Sequence, residues 1–192
     1  MKETVVVLLK GDFQQTRLHM ADFDNFEIFN ILANKFGYEN FKEKQIESFK
    51  AVTQRKDAIV ILPTGYGKSV IFQSIPFLIS LLDTGSVESN NLVIIVTPLN
   101  SIIHNQVSKL IDLGIQACSL DFTGTEAHTY EIVGPDQIKA SVPLSDIISG
   151  KYHLLYAHPE AILSSSGRRL VHEIRKNVVY LVVDEAHMIM EW

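Results

Sequence analysis

Residues 58–69 read Ala-Ile-Val-Ile-Leu-Pro-Thr-Gly-Tyr-Gly-Lys-Ser, and this stretch decides the fold class. Its first five residues are apolar and rich in β-branched side chains, as in a strand that is buried on both faces. A helical pattern over residues 68–82 follows directly. A strand that passes through a glycine-rich turn into a helix forms an anion pocket, because backbone N–H groups and the positive end of the helix dipole point into it.

The same alternation of strand and helix continues along the chain. Similar apolar runs lie at residues 92–97, 152–157 and 178–183, and helical spacing covers 26–36, 42–54, 100–113 and 159–176. This order predicts an α/β fold with a mostly parallel sheet and helices on both faces. Gly37 is predicted to end the first helix and Gly167 to divide the last one.

Two regions carry weaker patterns. Residues 1–25 have no sustained period, and we expect an N-terminal extension with at most one short strand. Residues 120–150 contain several glycines and prolines, which favours loops and short helices there.

Composition limits the classes of protein to consider. The 192 residues include 17 Lys plus Arg against 22 Asp plus Glu, a net charge of −5, which argues against a polybasic coat for nucleic acid. Cys118 is the only cysteine, so an intrachain disulfide and a Cys-rich zinc module are excluded. Apolar runs are too short for a membrane span. We therefore expect a soluble intracellular protein without a membrane partner, nuclear in a eukaryote and cytoplasmic in a bacterium.

The turn at residues 62–69 matches the chemistry of a phosphate loop. Gly65 and Gly67 would let the backbone face the phosphates, Lys68 would reach the β- and γ-phosphates, and the Ser69 hydroxyl would ligate magnesium. The sequence departs from the general pattern, because Leu62 stands where the first glycine is usual.

A second motif, Asp-Glu-Ala-His, begins at Asp184, directly after the apolar run 178–183. Asp184 would hold magnesium, and Glu185 would orient or deprotonate an attacking water. Carboxylates at the carboxyl end of a parallel strand lie where open α/β sheets bind ligands. The catalytic candidates are therefore Lys68, Asp184 and Glu185.

Together these motifs resemble the first RecA-like domain of superfamily 2 helicases, and within that group the RecQ family of DEAH-box DNA helicases. The narrower resemblance rests on FGYENFKEKQ at 36–45 and on DEAHMIMEW at 184–192. It implies a RecA-like P-loop NTPase domain, the ATP-binding lobe of a helicase, over residues 26–192. ATP and magnesium are the implied cofactors.

The resemblance also implies a site for the base of the nucleotide. Gln45 would read adenine through its amide, and Tyr38 would stack on the base. Lys42 stands where the family usually has Arg, so a planar contact to the base is lost. The remaining nucleotide-binding candidates are Thr64, Gly65, Tyr66, Gly67, Lys68 and Ser69.

Nucleic-acid contacts are implied by a third segment, Thr97 to Val107, which resembles helicase motif Ia. Its candidates are Asn100, Ser101 and Gln106, and the partner is single-stranded or partly duplex DNA. Residues 156–163 resemble a later motif, but His158 stands where Thr or Ser is common, which puts a hydroxyl contact to DNA in doubt.

The resemblance further implies a motor that needs a second RecA-like lobe with an arginine finger, and neither is recognised in these 192 residues. We therefore expect this chain alone to hydrolyse ATP poorly and to unwind little or no DNA, with 3′–5′ polarity only in a longer protein. A stand-alone nucleotide-binding or regulatory module is the alternative. An RNA helicase of the DEAH type is a third possibility, disfavoured by the Phe-Gly-Tyr opening.

Overall fold

The computed structural model describes residues 3–11, 26–88, 90–121, 131–133 and 138–191. The strands are β1 (Glu3–Lys10), β2 (Ala58–Pro63), β3 (Leu92–Val96), β4 (Ala117–Asp121), β5 (Glu131–Val133), β6 (Ile138–Ala140), β7 (Leu154–Ala157) and β8 (Val178–Val183). The helices are α1 (Phe26–Lys35), α2 (Glu43–Thr53), α3 (Lys68–Thr84), α4 (Asn100–Asp112), α5 (Leu144–Ile148), α6 (Pro159–Leu163) and α7 (Ser165–Ile174), followed by a 3-10 helix (Ala186–Glu191).

The described strands form one sheet in the order β2-β1-β8-β3-β7-β4-β6-β5. Its centre is parallel, because β3 pairs in parallel with both β8 and β7, and β7 pairs in parallel with β4. β6 and β5 extend one side in antiparallel pairing. The predicted α/β fold with a mostly parallel core is confirmed.

β1 lies between the two strands that carry the site motifs. It pairs antiparallel with β2 on one side, where Val7 faces Ile59, and antiparallel with β8 on the other, where Val7 faces Val183. Val6 and Leu8 of this strand are buried in the core. The N-terminal segment thus supplies an eight-residue strand inside the sheet, while residues 1–2 and 12–25 of the predicted extension lie outside the described residues.

Side chains alternate between two cores, one on each face of the sheet. Along β3, Val93 and Ile95 pack with α1 to α4, whereas Leu92, Ile94 and Val96 pack with α5 to α7. Apolar residues at every position of a strand require cover on both faces. The continuous apolar runs seen in the sequence therefore correspond to the helix-covered centre of the sheet.

Two glycines show how the helices are placed. Gly37, at φ +74°, ends α1 as predicted, and the N–H of Tyr38 donates to the carbonyl of Ala33 in a typical left-handed helix end. Gly167 does not divide the last helical segment, because the break falls at Ser164. Gly167 is buried inside α7 instead, where a Cβ would lie 2.1 Å from the carbonyl oxygen of Ala161.

Residues 120–150 differ in part from the predicted loops and short helices. α5 is the expected short helix, but β4, β5 and β6 add strands that the sequence pattern did not show, and 122–130 and 134–137 lie outside the described residues. Among the helices that the structure describes, none is long and apolar enough to cross a membrane.

Candidate functional site

The turn between β2 and α3 has the backbone shape of an anion pocket. Gly65 and Gly67 adopt φ angles of +82° and +93°, which side chains rarely tolerate. Space beside Gly65 is open, whereas a Cβ on Gly67 would lie 2.8 Å from Nε2 of Gln45. α3 begins at Lys68, so its first N–H groups face this turn.

The side chain of Gln45 connects the start of α2 to this turn through hydrogen bonds. Its Oε1 accepts from the N–H of Lys42 at 2.8 Å, and its Nε2 donates to the carbonyl of Gly67 at 3.0 Å and, more weakly, to that of Tyr66 at 3.4 Å. The side chain is buried, with 4% of its surface exposed. Both ends of the amide are therefore engaged in the protein, and the adenine contact of Gln45 stays a prediction.

Lys42 contacts the same turn, whereas Tyr38 is an exposed residue at the end of α1. The Lys42 ammonium donates to the carbonyl of Tyr66 at 3.0 Å and lies 4.7 Å from the centre of the Tyr66 ring. Lys42 thus contacts the turn with a compact ammonium group, and this contact does not need the planar guanidinium of an arginine. Tyr38 is 50% exposed beside Gly37, so its ring has a free face, and Thr64 is also exposed on the turn.

The two sequence motifs meet at the carboxyl ends of β2 and β8. The Lys68 ammonium lies 3.4 Å from Oε1 of Glu185. Nδ1 of His187 lies 3.5 Å from the other oxygen, Oε2, of the same carboxylate. Glu185 has a φ of +54°, an unusual value for a non-glycine residue and one often found at functional sites. His187 received no role from the sequence, although it is the last residue of the motif.

Asp184 is the buried member of the site. Its Oδ1 accepts from the N–H of Glu185 at 3.0 Å, and 6% of the residue is exposed. Burial first, and then the charge of Glu185, raise the pKa of Asp184 above its usual value, while Lys68 acts in the opposite direction. Burial of a carboxylate beside a second one favours a bound cation.

These residues fit magnesium. Two carboxylates, Asp184 and Glu185, face the single ammonium of Lys68, which leaves an excess of negative charge, and oxygen is the ligand that magnesium prefers. Ser69, at the start of α3, would add a hydroxyl oxygen. Within the described ranges, no three His, Cys, Asp or Glu side chains form a metal-binding group by themselves. Phosphate oxygens and water are the ligands that would complete the coordination.

The three predicted nucleic-acid residues all lie on α4 but differ in access. Ser101 is exposed. Oδ1 of Asn100 is buried and has no hydrogen-bond partner among the described residues. The amide of Gln106 bonds inside the protein, accepting from Gln73 at 2.8 Å and donating to Ser69 at 3.3 Å. Gln73 was not singled out from the sequence, because its position on a buried helix has no local signal.

Polar groups near α4, at the carboxyl end of β4, were also not predicted from the sequence. Asp121, at the end of β4, is 3% exposed and lies 3.5 Å from Nε2 of His104. Burial raises the pKa of Asp121, and the nearby His104 and His158 partly offset this. His158 caps α6, because its Nδ1 accepts from the N–H of Glu160. The imidazole thus makes a helix cap that hydroxyl residues commonly make.

A family model described as "DEAD/DEAH box helicase" matches residues 42–192. The chain belongs to this helicase family. The "ATP-dependent helicase wrn-1" of Caenorhabditis elegans is 33% identical over 166 residues, 86% of this chain and 14% of the relative. The "ATP-dependent DNA helicase RecQ" of Bacillus subtilis (strain 168) is 33% identical over 164 residues, 85% of this chain and 24% of the relative.

The "RecQ-like DNA helicase blm-1" of Caenorhabditis elegans is 32% identical over 174 residues, 88% of this chain and 15% of the relative. These relatives confirm the RecQ resemblance, and the helicase-family match confirms the RecA-like fold class. The chain spans less than a quarter of the length of these curated relatives. Trp192, the last residue of the RecQ-like acidic motif, lies outside the described residues.

Proposed function

We propose that this chain is the ATP-binding lobe of a RecQ-like DNA helicase, which couples ATP hydrolysis to 3′–5′ unwinding in a longer protein. The observation that carries the proposal is the 3.4 Å approach of Lys68 to Glu185, because it joins the phosphate-loop motif and the acidic motif in one site. Membership of the DEAD/DEAH box helicase family supports it. Unwinding belongs to the longer protein, since it needs a second RecA-like lobe.

The geometry suggests how the residues divide the work of hydrolysis. Lys68 leaves Glu185 and contacts the phosphates, which frees the carboxylate to orient water and accept its proton. Ser69 and Asp184 would hold magnesium, which would supply positive charge to offset that of the β- and γ-phosphates. The contact of His187 with Oε2 keeps the Glu185 carboxylate in place while Lys68 binds the phosphates.

The base of ATP fits beside α2. Tyr38 offers an exposed ring for stacking, and Gln45 can exchange its long 3.4 Å contact with Tyr66 for a hydrogen bond to adenine. DNA is proposed to run along the start of α4, where Ser101 is exposed. The relatives that are named DNA helicases support DNA rather than RNA. With DNA as its substrate, the protein is expected in the nucleus of a eukaryote or the cytoplasm of a bacterium.

Titration of the 192-residue chain with a fluorescent ATP analogue and Mg²⁺ tests the nucleotide site. We expect saturable binding that Lys68→Ala weakens at least roughly tenfold, because a partly buried charge contact to phosphate is removed. Lys176→Ala, an exposed lysine after α7, is the matched control and should bind as the unaltered chain does. Equal binding by the Lys68→Ala chain would refute the proposed site.

The nucleic-acid partner is tested in the longer protein that contains the second lobe. We expect ATPase activity that single-stranded DNA stimulates more than RNA does. Stimulation by RNA alone would favour the DEAH-type RNA helicase. ATP binding without stimulation by either nucleic acid would favour the stand-alone nucleotide-binding or regulatory module.

A further inference from the structure

A chain of hydrogen-bonded polar side chains connects α3, α4 and β7. Nε2 of Gln73 donates two hydrogen bonds of 2.8 Å, one to Oε1 of Gln106 and one to the hydroxyl of Tyr156. Nε2 of Gln106 then donates to Oγ of Ser69 at 3.3 Å. Gln73 is 6% exposed and Tyr156 is 1% exposed, so water has little access to these two side chains, whereas Gln106 and Ser69 are half-buried.

The bonding couples the orientations of the two amides. Gln73 uses its two N–H donors on two acceptors, and Gln106 accepts at one end and donates at the other. Rotating the Gln106 amide alone by half a turn would place two N–H groups against each other. Turning both amides would keep every contact, with the hydroxyls of Ser69 and Tyr156 as donors, so the two amides can change orientation only together.

One end of this chain is a candidate magnesium ligand, Ser69. The other end is Tyr156 on β7, where burial, with a smaller contribution from the charge of Asp184, raises the pKa of the hydroxyl. The network therefore begins at a residue that is expected to change its contacts when magnesium and nucleotide bind.

The Ser69 hydroxyl can serve Gln106 and a cation at the same time, since its oxygen has two lone pairs. A cation on one lone pair draws electron density from the oxygen and repels the positive end of the Gln106 N–H dipole. The 3.3 Å bond should therefore weaken when the cation binds. Gln106 stands six residues into α4, about 9 Å along the helix axis from its start at Asn100 and Ser101.

We propose that Gln106 is a positioning residue that transmits occupancy of Ser69 by magnesium and nucleotide to α4. The start of α4 then changes position or mobility with the state of the phosphate site. This inference rests on the proposed function, since it requires nucleotide at the turn and nucleic acid at α4. It assigns Gln106 to an internal link, in place of the direct DNA contact expected from the sequence.

The test is a titration of the ¹⁵N-labelled 192-residue chain followed by ¹H–¹⁵N NMR, first with ATP in EDTA and then with excess Mg²⁺. We expect Mg²⁺ to shift the backbone signals of Gly65 and Gly67, the side-chain amide of Gln106, and the backbone signals at the start of α4. Gln106→Leu removes both of its bonds. Gln106→Met also removes both bonds and keeps a flexible side chain of similar length.

In both variants the signals of the start of α4 should no longer respond to Mg²⁺, while Gly65 and Gly67 still respond. The gain in ATP affinity that Mg²⁺ causes should also fall, by roughly threefold or more. Gln54→Leu, at an exposed glutamine that ends α2, is the matched control and should keep every response. If Gln106→Leu fails to fold, Gln106→Met carries the test.

An unchanged response of α4 in the Gln106 variants would overturn the inference and leave a purely structural network. A response at Gly65 and Gly67 without one at α4 in the unaltered chain would overturn it as well. In either case the proposed function stands, because nucleotide has bound. If Gly65 and Gly67 do not respond at all, the proposed function fails, and the inference fails with it.

Discussion

The ammonium of Lys68 and Oε1 of Glu185 lie 3.4 Å apart, although 117 positions separate them in the sequence. Both side chains are largely buried, with 11% and 17% of their surfaces exposed. The lysine that would bind phosphate is therefore held by the carboxylate that would activate water. In the proposed function nucleotide would break this ion pair on entry, so Glu185 would compete with phosphate for Lys68.

Replacing Glu185 by Gln is expected to tighten nucleotide binding while abolishing hydrolysis. The substitution removes the competing charge, and affinity should rise roughly two- to fivefold, the equivalent of ~0.5–1 kcal/mol for an ion pair of this kind. Titration with a fluorescent ATP analogue and Mg²⁺ measures the change. Glu173→Gln, on the exposed face of α7, should leave affinity unaltered. Weaker binding by the Glu185→Gln chain would contradict the competition.

Replacing Asp184 by Asn is expected to stabilise the fold at neutral pH by a few degrees in melting temperature. Because burial and Glu185 raise the folded-state pKa of Asp184, the charged form costs stability above that pKa. The cost disappears as pH falls toward the unfolded value of 3.8. An asparagine oxygen can still accept from the N–H of Glu185.

Thermal unfolding of both chains between pH 7 and pH 4 tests this sign. The advantage of Asp184→Asn should be largest at pH 7 and should shrink as the pH falls. Mg²⁺ with ATP should stabilise the unaltered chain more than the variant, since the variant lacks a carboxylate ligand. The prediction would be wrong if the variant melted at a lower temperature at pH 7, or if its gain in melting temperature grew in acid. Either result would show that the charge of Asp184 does not destabilise the folded state.

Replacing Gln45 by Leu is expected to remove the preference for ATP over GTP. A hydrogen bond from the Gln45 amide to adenine that guanine cannot accept contributes ~1–2 kcal/mol of discrimination, so a preference of roughly tenfold should be lost. The N–H of Lys42 and the carbonyl of Gly67 also lose their partner, which costs about 1–3 kcal/mol of stability. Competition of ATP and GTP for the labelled analogue measures the ratio, with Gln54→Leu as control. A preserved ratio would place adenine elsewhere.

Replacing Gly167 by Ala is expected to destabilise the protein by roughly 3 kcal/mol, because the new Cβ would overlap the backbone carbonyl of Ala161. A backbone carbonyl cannot move aside as a flexible side chain can. The overlap can therefore be relieved only if α6 and α7 move apart. Gly114→Ala is the comparison, since its Cβ meets open space and costs only about 1 kcal/mol for its φ of +72°. Urea unfolding measures both. Equal losses would show that the contact between α6 and α7 is not tight.

The sequence predicted the strands that are apolar throughout, because burial on both faces leaves a continuous signal. β3 and β8 are such strands. β4 was not recognised, since Ser119 and Asp121 interrupt its apolar character even though all five of its residues are buried. β5 and β6 are three residues each, too short for any periodic pattern.

The sequence predicted which chemical groups form the site, but only some of the contacts between them. Lys68 and Glu185 were expected at the carboxyl ends of parallel strands, and the structure brings them together. Nothing local indicated that the Gln45 amide bonds to the phosphate turn or that Gln106 bonds to Ser69, because each contact joins two separate helices or turns. The sequence shows which groups can form hydrogen bonds, whereas the packing of helices selects their partners.

The position of β1 has a consequence for the order in which the molecule can assemble. In the described sheet β2 and β8 are not hydrogen-bonded to each other, and two strand spacings of about 4.8 Å separate them. Val7 pairs with Ile59 and with Val183, which lie far from it in the sequence. Contacts between such distant segments form slowly, because a long loop has to close. We therefore expect β1 to complete the alignment of the two motifs late in folding.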